Sequence, residues 1–243
     1  MTKVMTEIPV LDNGYVQLKA KDVMGDDLSP VNDAKVSFDR ESNEFGTKEE
    51  RLLNFLGREG HTSPFRHSFM KFEVYAPLMV ARQWWKYVIG SDHAEQPLRS
   101  HDPLDAWNES SRRYITEQPE FYIVGENEWR SQPANKKQGS GEILPVTQGK
   151  DLTRQLVDMY DTGYKRYTNA IEEGVAVEQA RLFLPSYGLY VRWRWAGSLQ
   201  GVCHFLNQRL KGDAQSEIRD YAEAVNKLSR QHFPNAIDAL VRD

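Results

Sequence analysis

The sequence predicts an α+β fold in one domain of 243 residues. Three observations carry that prediction. Leu189, Val191, Trp193 and Trp195 alternate with Tyr190, Arg192 and Arg194, the period of two expected of a strand with one buried face. Two long stretches, from Asp151 to about Glu173 and from Ala214 to Phe233, instead carry apolar residues at helical spacing. Between such elements lie two polar stretches, about 90–106 and 125–150, which read as insertion loops rather than linkers; no internal repeat is visible.

In chain order, Val16 and Leu18 alternate with polar neighbours, predicting a short strand over 14–19 and a turn near Gly25. Ser29-Pro30 supplies a cap and a first-turn proline for a short helix through Phe38. Ser37 at its end either points a hydroxyl into a site or bonds to backbone, the commoner case. Thr47-Lys48-Glu49-Glu50 reads as a capping box before the stripe Leu52, Leu53, Leu56, and Gly60 ends that helix. His61 to His67 is a polar turn. Its two histidines have no carboxylate or third ligand nearby in sequence, so no metal site is expected.

Met70, Phe72, Val74 and Ala76 form the core face of a second strand. Pro77 then opens a helix through Leu78, Val80, Ala81, Trp84 and Trp85 that delivers Arg82, Gln83 and Lys86 to its far end. A strand is predicted over Glu120–Val124, a helix over Val177–Phe183 stopped by Pro185, and a helix over Ser198–Gln208 with Arg209 in the break after it. Pro234 separates a short tail helix.

Composition narrows the chemistry. A formal charge of −4 argues against a coat for nucleic acid, although local arginines can still focus a positive field in a cleft. One cysteine, Cys203, excludes an internal disulfide framework and fits a reducing cytoplasm. The first residues lack the apolar stretch of a signal peptide, and no run approaches membrane-span length. No Walker loop, G-x-G-x-x-G, G-x-S-x-G or zincin motif occurs, and Cys203 lies in an apolar helical stretch, where a small core residue is the expected role. What the chain does offer is Arg82, Arg113, Arg192 and Arg209, each at an element end or strand face, to position anions while a cofactor carries the harder chemistry.

In that setting the ordered motifs resemble one family, the flavin-dependent thymidylate synthases. They are Asp22-Val23-Met24-Gly25 with Asp27, Ala34-Lys35-Val36-Ser37-Phe38, Gly60-His61 through Pro64-Phe65 and His67, and Ala81-Arg82-Gln83-Trp84. Further on come Asn108-Glu109 with Ser111 and Arg113-Tyr114, Ala180-Arg181 with Leu184-Pro185, Phe205-Leu206-Asn207 with Arg209, and Ala214-Gln215 with Glu217. The resemblance implies a single catalytic domain over 1–243, a mixed sheet with long helices, and a homotetramer whose sites lie between subunits. It implies reductive methylation of dUMP at C5 to dTMP, with FAD as cofactor and methylenetetrahydrofolate and NADPH as co-substrates, and neither nucleic acid nor membrane as partner.

Carried over by position, Gln83, Glu109, Ser111, Arg113 and Arg192 would bind the nucleotide, with Arg113 and a neighbouring serine on the phosphate. Arg209 would contact and polarise the pyrimidine as the catalytic residue. Ser37, Ser63, Asn108, Glu109 and His204 would lie near FAD, together with Lys86, Tyr87 and Val88, which replace the family's Arg-His-Arg. Ser198, Gln200 and Asp213 also depart from the family's flavin-side residues, and about fifteen extra residues fall within Asp92–Ala106. Two alternatives stay open: a methylase of UMP on the same fold, and a single-strand-binding module without flavin that stacks bases on Trp84, Trp85, Trp193 and Trp195.

Overall fold

The computed structural model describes residues 5–89, 105–110, 118–133 and 139–242, with the backbone alone at 87–89. Among these residues five strands, β1 (Glu7–Val10), β2 (Gly14–Met24), β3 (Phe69–Pro77), β4 (Ala106–Glu109) and β5 (Tyr190–Ser198), form one sheet in the order β1-β2-β3-β5-β4. Every pairing is antiparallel, which corrects the expectation of a mixed sheet. Strand direction depends on partners distant in sequence, which an alternating pattern does not specify.

Among the described residues eight helices accompany the sheet: α1 (Leu28–Lys35), α2 (Thr47–Arg58), α3 (Leu78–Ile89), α4 (Val146–Glu172), α5 (Val177–Ala180), α6 (Leu199–Arg209), α7 (Ser216–Ser229) and α8 (Pro234–Leu240). The alternation read along β3 and β5 holds: Met70, Phe72, Val74, Trp193 and Trp195 are buried while Arg192 and Arg194 are exposed. On the buried face Trp84 of α3 stacks on Phe205 of α6 at 4.3 Å and meets Trp193 and Trp195 edge-on at 5.5 and 5.4 Å. Each such pair adds about 0.5–1.5 kcal/mol beyond the area it buries. Trp107 stacks on Trp193 at 4.9 Å and so seats the short edge strand β4. On the other face the register sets Glu73 opposite Arg194 and Tyr75 opposite Arg192. Arg194 bonds Glu73 through Nε and Nη2, and the Arg192 guanidinium lies 5.4 Å from the Tyr75 ring centroid.

Several element boundaries differ from the sequence reading. Thr47 is the first residue of α2 rather than its cap; Gly46 precedes the helix, makes no side-chain capping bond, and accepts the Glu50 N–H at 3.0 Å. The predicted strand over Glu120–Val124 is a single bridge, Phe121 to Leu189, because Glu120 and Tyr122 pair only with the start of β5 and the turn before it. The stretch 125–150 is not wholly loop. Arg130 bridges Ile143, Leu144 N–H bonds Trp129 O, and α4 starts at Val146. Gly149 fixes that early start, since a Cβ there would sit 1.9 Å from Glu126 O. Arg209 closes α6 rather than standing beyond it, and the last long helix is α7, two residues later in starting and four earlier in ending than expected.

Candidate active site

Ser110 N–H donates to Arg192 O at 2.8 Å, continuing the β4–β5 pairing by one residue and placing Glu109 and Ser110 at the sheet edge. Facing them, α5 tightens into a 3-10 turn over Arg181–Phe183, and Pro185 leads through a second turn into β5. Leu78 at the start of α3 is tied to the same place by its N–H bond to Leu189 O at 2.9 Å. Between these segments lies a cavity of about 250 Å³ whose walls include Leu78, Glu109, Ser110, Arg181, Leu184 and Val191. Its size is close to the lower end of small-ligand pockets, about 300–1,000 Å³, and its mixture of apolar wall and few polar groups is typical of them.

Arg181 supplies the cavity's cation, and its Nε is buried without a hydrogen-bond partner among the described residues. A guanidinium in a cavity wall can pair with a ligand that brings an acceptor. Glu109 and Glu178 add two carboxylates, which suit hydroxyl or ring N–H donors. The sequence alone assigns Arg181 no role. The signal that could have found it is the Ala180-Arg181 … Leu184-Pro185 motif, there a family mark only.

Gln83 projects from α3, and its Nε2 donates to Gln215 Oε1 at 2.6 Å at the start of α7. Arg192 lies on the open sheet face over Tyr75, opposite in strand phase to Val191 of the cavity. Arg209 and His204 are half-buried on α6. Arg209, in the helix's last turn, complements its negative end. Ser111 and Arg113, the side chains of Tyr87 and Val88, and nearly all of the 90–106 insertion lie outside the described residues.

Ser37, Ser63, Lys86, Asn108 and Glu109 are all exposed. Ser37 sits in a 3-10 turn between exposed Val36 and Phe38; the loop that follows it is held by Lys35, Ser42 and Glu49, whose side chains bond one another at 2.6–3.0 Å. By contrast Ser198 is committed within the fold: its Oγ caps α6 through the Gly201 N–H at 3.1 Å. Cys203 is buried, and burial pushes its thiol up, away from the reactive thiolate. Three of the four tryptophans considered as a base-stacking platform, Trp84, Trp193 and Trp195, are core residues, which removes that alternative's main support. Among the described residues no cluster of three or more histidine, cysteine or acidic side chains could hold a metal, and no helix is long and apolar enough to cross a membrane.

Fold and cavity together define an antiparallel-sheet protein with a small cavity, walled by one cation and two carboxylates, between the sheet edge and a helical turn. Residues 21–235 match the family of thymidylate synthase complementing proteins. The chain is 36% identical over 236 residues to a flavin-dependent thymidylate synthase of Thermotoga neapolitana, covering 97% of this chain and 94% of that one. It is 37% identical over 233 residues to a flavin-dependent thymidylate synthase of Thermus thermophilus, covering 94% and 76%. In structure it is similar to a UMP/dUMP methylase, PolB, from Streptomyces cacaoi, with a TM-score of 0.76, 24% identity and 96% of each chain covered. The chain belongs to the flavin-dependent thymidylate synthase family.

Membership in a flavin-dependent family implies FAD as cofactor, with a folate and NADPH as co-substrates. The donor set fits such a group. The hydroxyls of Ser37 and Ser63, the Lys86 ammonium and the Asn108 amide are exposed and make no side-chain hydrogen bond among the described residues, and Phe38 and Trp85 offer exposed aromatic surface beside two of them.

Proposed function

We propose that the protein is a flavin-dependent methylase of dUMP, forming dTMP by reductive methylation at C5. The single observation that carries the nucleotide assignment is the Arg181 side chain in the wall of a cavity that also holds Glu109 and Ser110. A phosphate would accept hydrogen bonds from the Arg181 guanidinium. Carboxylates beside it take hydrogen bonds from sugar hydroxyls, and Leu78, Leu184 and Val191 exclude water from the sugar's apolar edges. Gln83, Ser111, Arg113 and Arg192 complete the nucleotide set on the strength of the family resemblance.

Arg209 holds the pyrimidine and stabilises negative charge on its ring carbonyl as C5 chemistry proceeds. FAD, recharged by NADPH, supplies the reducing hydride when bound, and methylenetetrahydrofolate supplies the carbon. Ser37, Ser63, Lys86, Asn108 and Glu109 would hold the FAD, with Tyr87, Val88 and His204 in place of the family's usual groups. Cys203 takes no part, because its thiol is buried and protonated. Arg192 faces away from the cavity wall that Val191 forms, and Leu182 and Tyr187 stand exposed beside the cavity, which supports sites completed between subunits of a homotetramer. One catalytic domain over 1–243 and a cytoplasmic location fit this reading.

UMP is the second reading, favoured by Glu178, whose carboxylate gives the cavity an additional acceptor for a ribose 2′-hydroxyl. Both readings are tested by release of hydrogen label from C5 of dUMP or UMP in the presence of methylenetetrahydrofolate and NADPH, with and without FAD. FAD-dependent release from dUMP supports the first reading. Release from UMP alone replaces it with the second, and release from neither overturns both.

A further inference from the structure

We propose that Gln215 is a positioning residue for the nucleotide site and acts through Gln83. The inference rests on the reading above that Gln83 contacts the nucleotide. Gln83 leaves α3 with its amide nitrogen shared between two acceptors, Gln215 Oε1 at 2.6 Å and, more weakly, Met79 O at 3.4 Å. Gln215 is well placed to hold it. Its backbone is fixed at the start of α7, where its carbonyl accepts the Arg219 N–H at 3.1 Å. Its side chain, however, makes no capping bond to its own helix and instead spans to α3.

Gln215 is exposed and Gln83 half-buried, so their bond competes with water and contributes little to the stability of the fold. What it removes is the rotameric freedom of a long side chain that otherwise has to be ordered when ligand binds. The contact therefore acts on affinity, by holding Gln83 ready, rather than on chemistry. Ala214 and Gln215, next to Glu217, thus acquire distinct tasks: burial for Ala214, reach across the helix pair for Gln215.

The test is a double-mutant cycle on FAD-loaded protein with Gln83→Met, Gln215→Met and the pair, reading the dUMP dissociation constant, KM and kcat. Gln215→Met is expected to weaken dUMP binding and raise KM about two- to threefold with kcat unchanged, and to add nothing once Gln83 is already methionine. Additive losses, or an unchanged dissociation constant in Gln215→Met, overturn the proposal. So does a loss matched by a fall in thermal midpoint, because the bond is then structural. Wild-type protein that binds neither dUMP nor UMP fails the nucleotide reading itself. Wild-type binding with an unaffected Gln83→Met variant removes only the role of Gln83, and that of Gln215 with it.

Discussion

The carboxylate of Asp27 caps a helix that begins more than two hundred residues later: it accepts the Asn235 N–H at 3.0 Å and the Asn235 side-chain amide at 2.7 Å on one oxygen, and the Ala236 N–H at 2.9 Å on the other. Asp27 is buried, so both backbone donors at the start of α8 depend on it. Its removal to alanine leaves them unsatisfied, and the expected cost is about 2–3 kcal/mol. Asp27→Ala should lower the denaturant midpoint accordingly, while the activity of the protein that remains folded is retained. An unchanged midpoint would show that water replaces the carboxylate at no cost.

A second clasp makes stability depend on acid. Glu49 accepts hydrogen bonds from Ser42 Oγ at 2.7 Å and from Lys35 Nζ at 3.0 Å, which lower its pKa from 4.5 to about 2. Because the folded value lies below the unfolded one, the contribution is fully present above about pH 4.5 and is lost as pH falls through about 2. Glu49→Gln should therefore flatten the stability profile between those limits and change little in its shape above them. The same clasp holds the loop after Ser37, so weaker FAD binding is expected of the variant as well. Stability measured against pH by denaturant titration checks the first effect, and flavin titration at neutral pH the second.

How much was legible in the sequence follows from which interactions are local. Strand β5 was readable because its two faces differ so sharply, tryptophans inward and arginines outward, that the period of two is set by burial alone. Strand β4 was not. Ala106-Trp107-Asn108-Glu109 has a weak pattern and is made a strand by the stacking of Trp107 on Trp193, a residue supplied from elsewhere. The reverse error occurred at Glu120–Val124, whose apolar residues suggest a strand. Tyr122 O accepts the Tyr160 hydroxyl at 3.0 Å, Asp12 accepts the Ile123 N–H at 3.4 Å, and only Phe121 bridges the sheet region. For the site, the family motifs pointed to Glu109, Gln83 and Arg209 by type and order. They did not single out Arg181, whose place in the cavity wall is a product of tertiary packing.

As the cation in the cavity wall, Arg181 is the sharpest test of the proposed nucleotide site. Arg181→Ala is expected to weaken dUMP binding by about 2–3 kcal/mol, roughly 30- to 150-fold, with little effect on stability because the buried donor has no partner among the described residues to lose. Arg181→Lys keeps the charge but not the planar fork, and should recover only part of the loss. Calorimetric titration with dUMP and with inorganic phosphate separates the outcomes. Equal weakening for both assigns Arg181 to the phosphate, and weakening for dUMP alone moves it to the sugar or base.

Arg209 and Cys203 share α6, and the fold separates their roles. Cys203 faces the core and its thiol is held protonated by burial, so Cys203→Ala should cost about 1 kcal/mol of stability through lost packing and leave turnover unchanged. Alkylating reagents should label it only after unfolding. Arg209 lies six residues further, in the helix's final turn and half-buried, where a guanidinium can face a developing anion. Removing a charge-stabilising group of this kind lowers turnover by about 10²–10³-fold. Arg209→Ala should therefore abolish measurable label release from C5 while its thermal midpoint stays near that of the wild type. Full turnover in Arg209→Ala combined with loss in a folded Cys203→Ala would reverse the assignment and make the thiol the nucleophile.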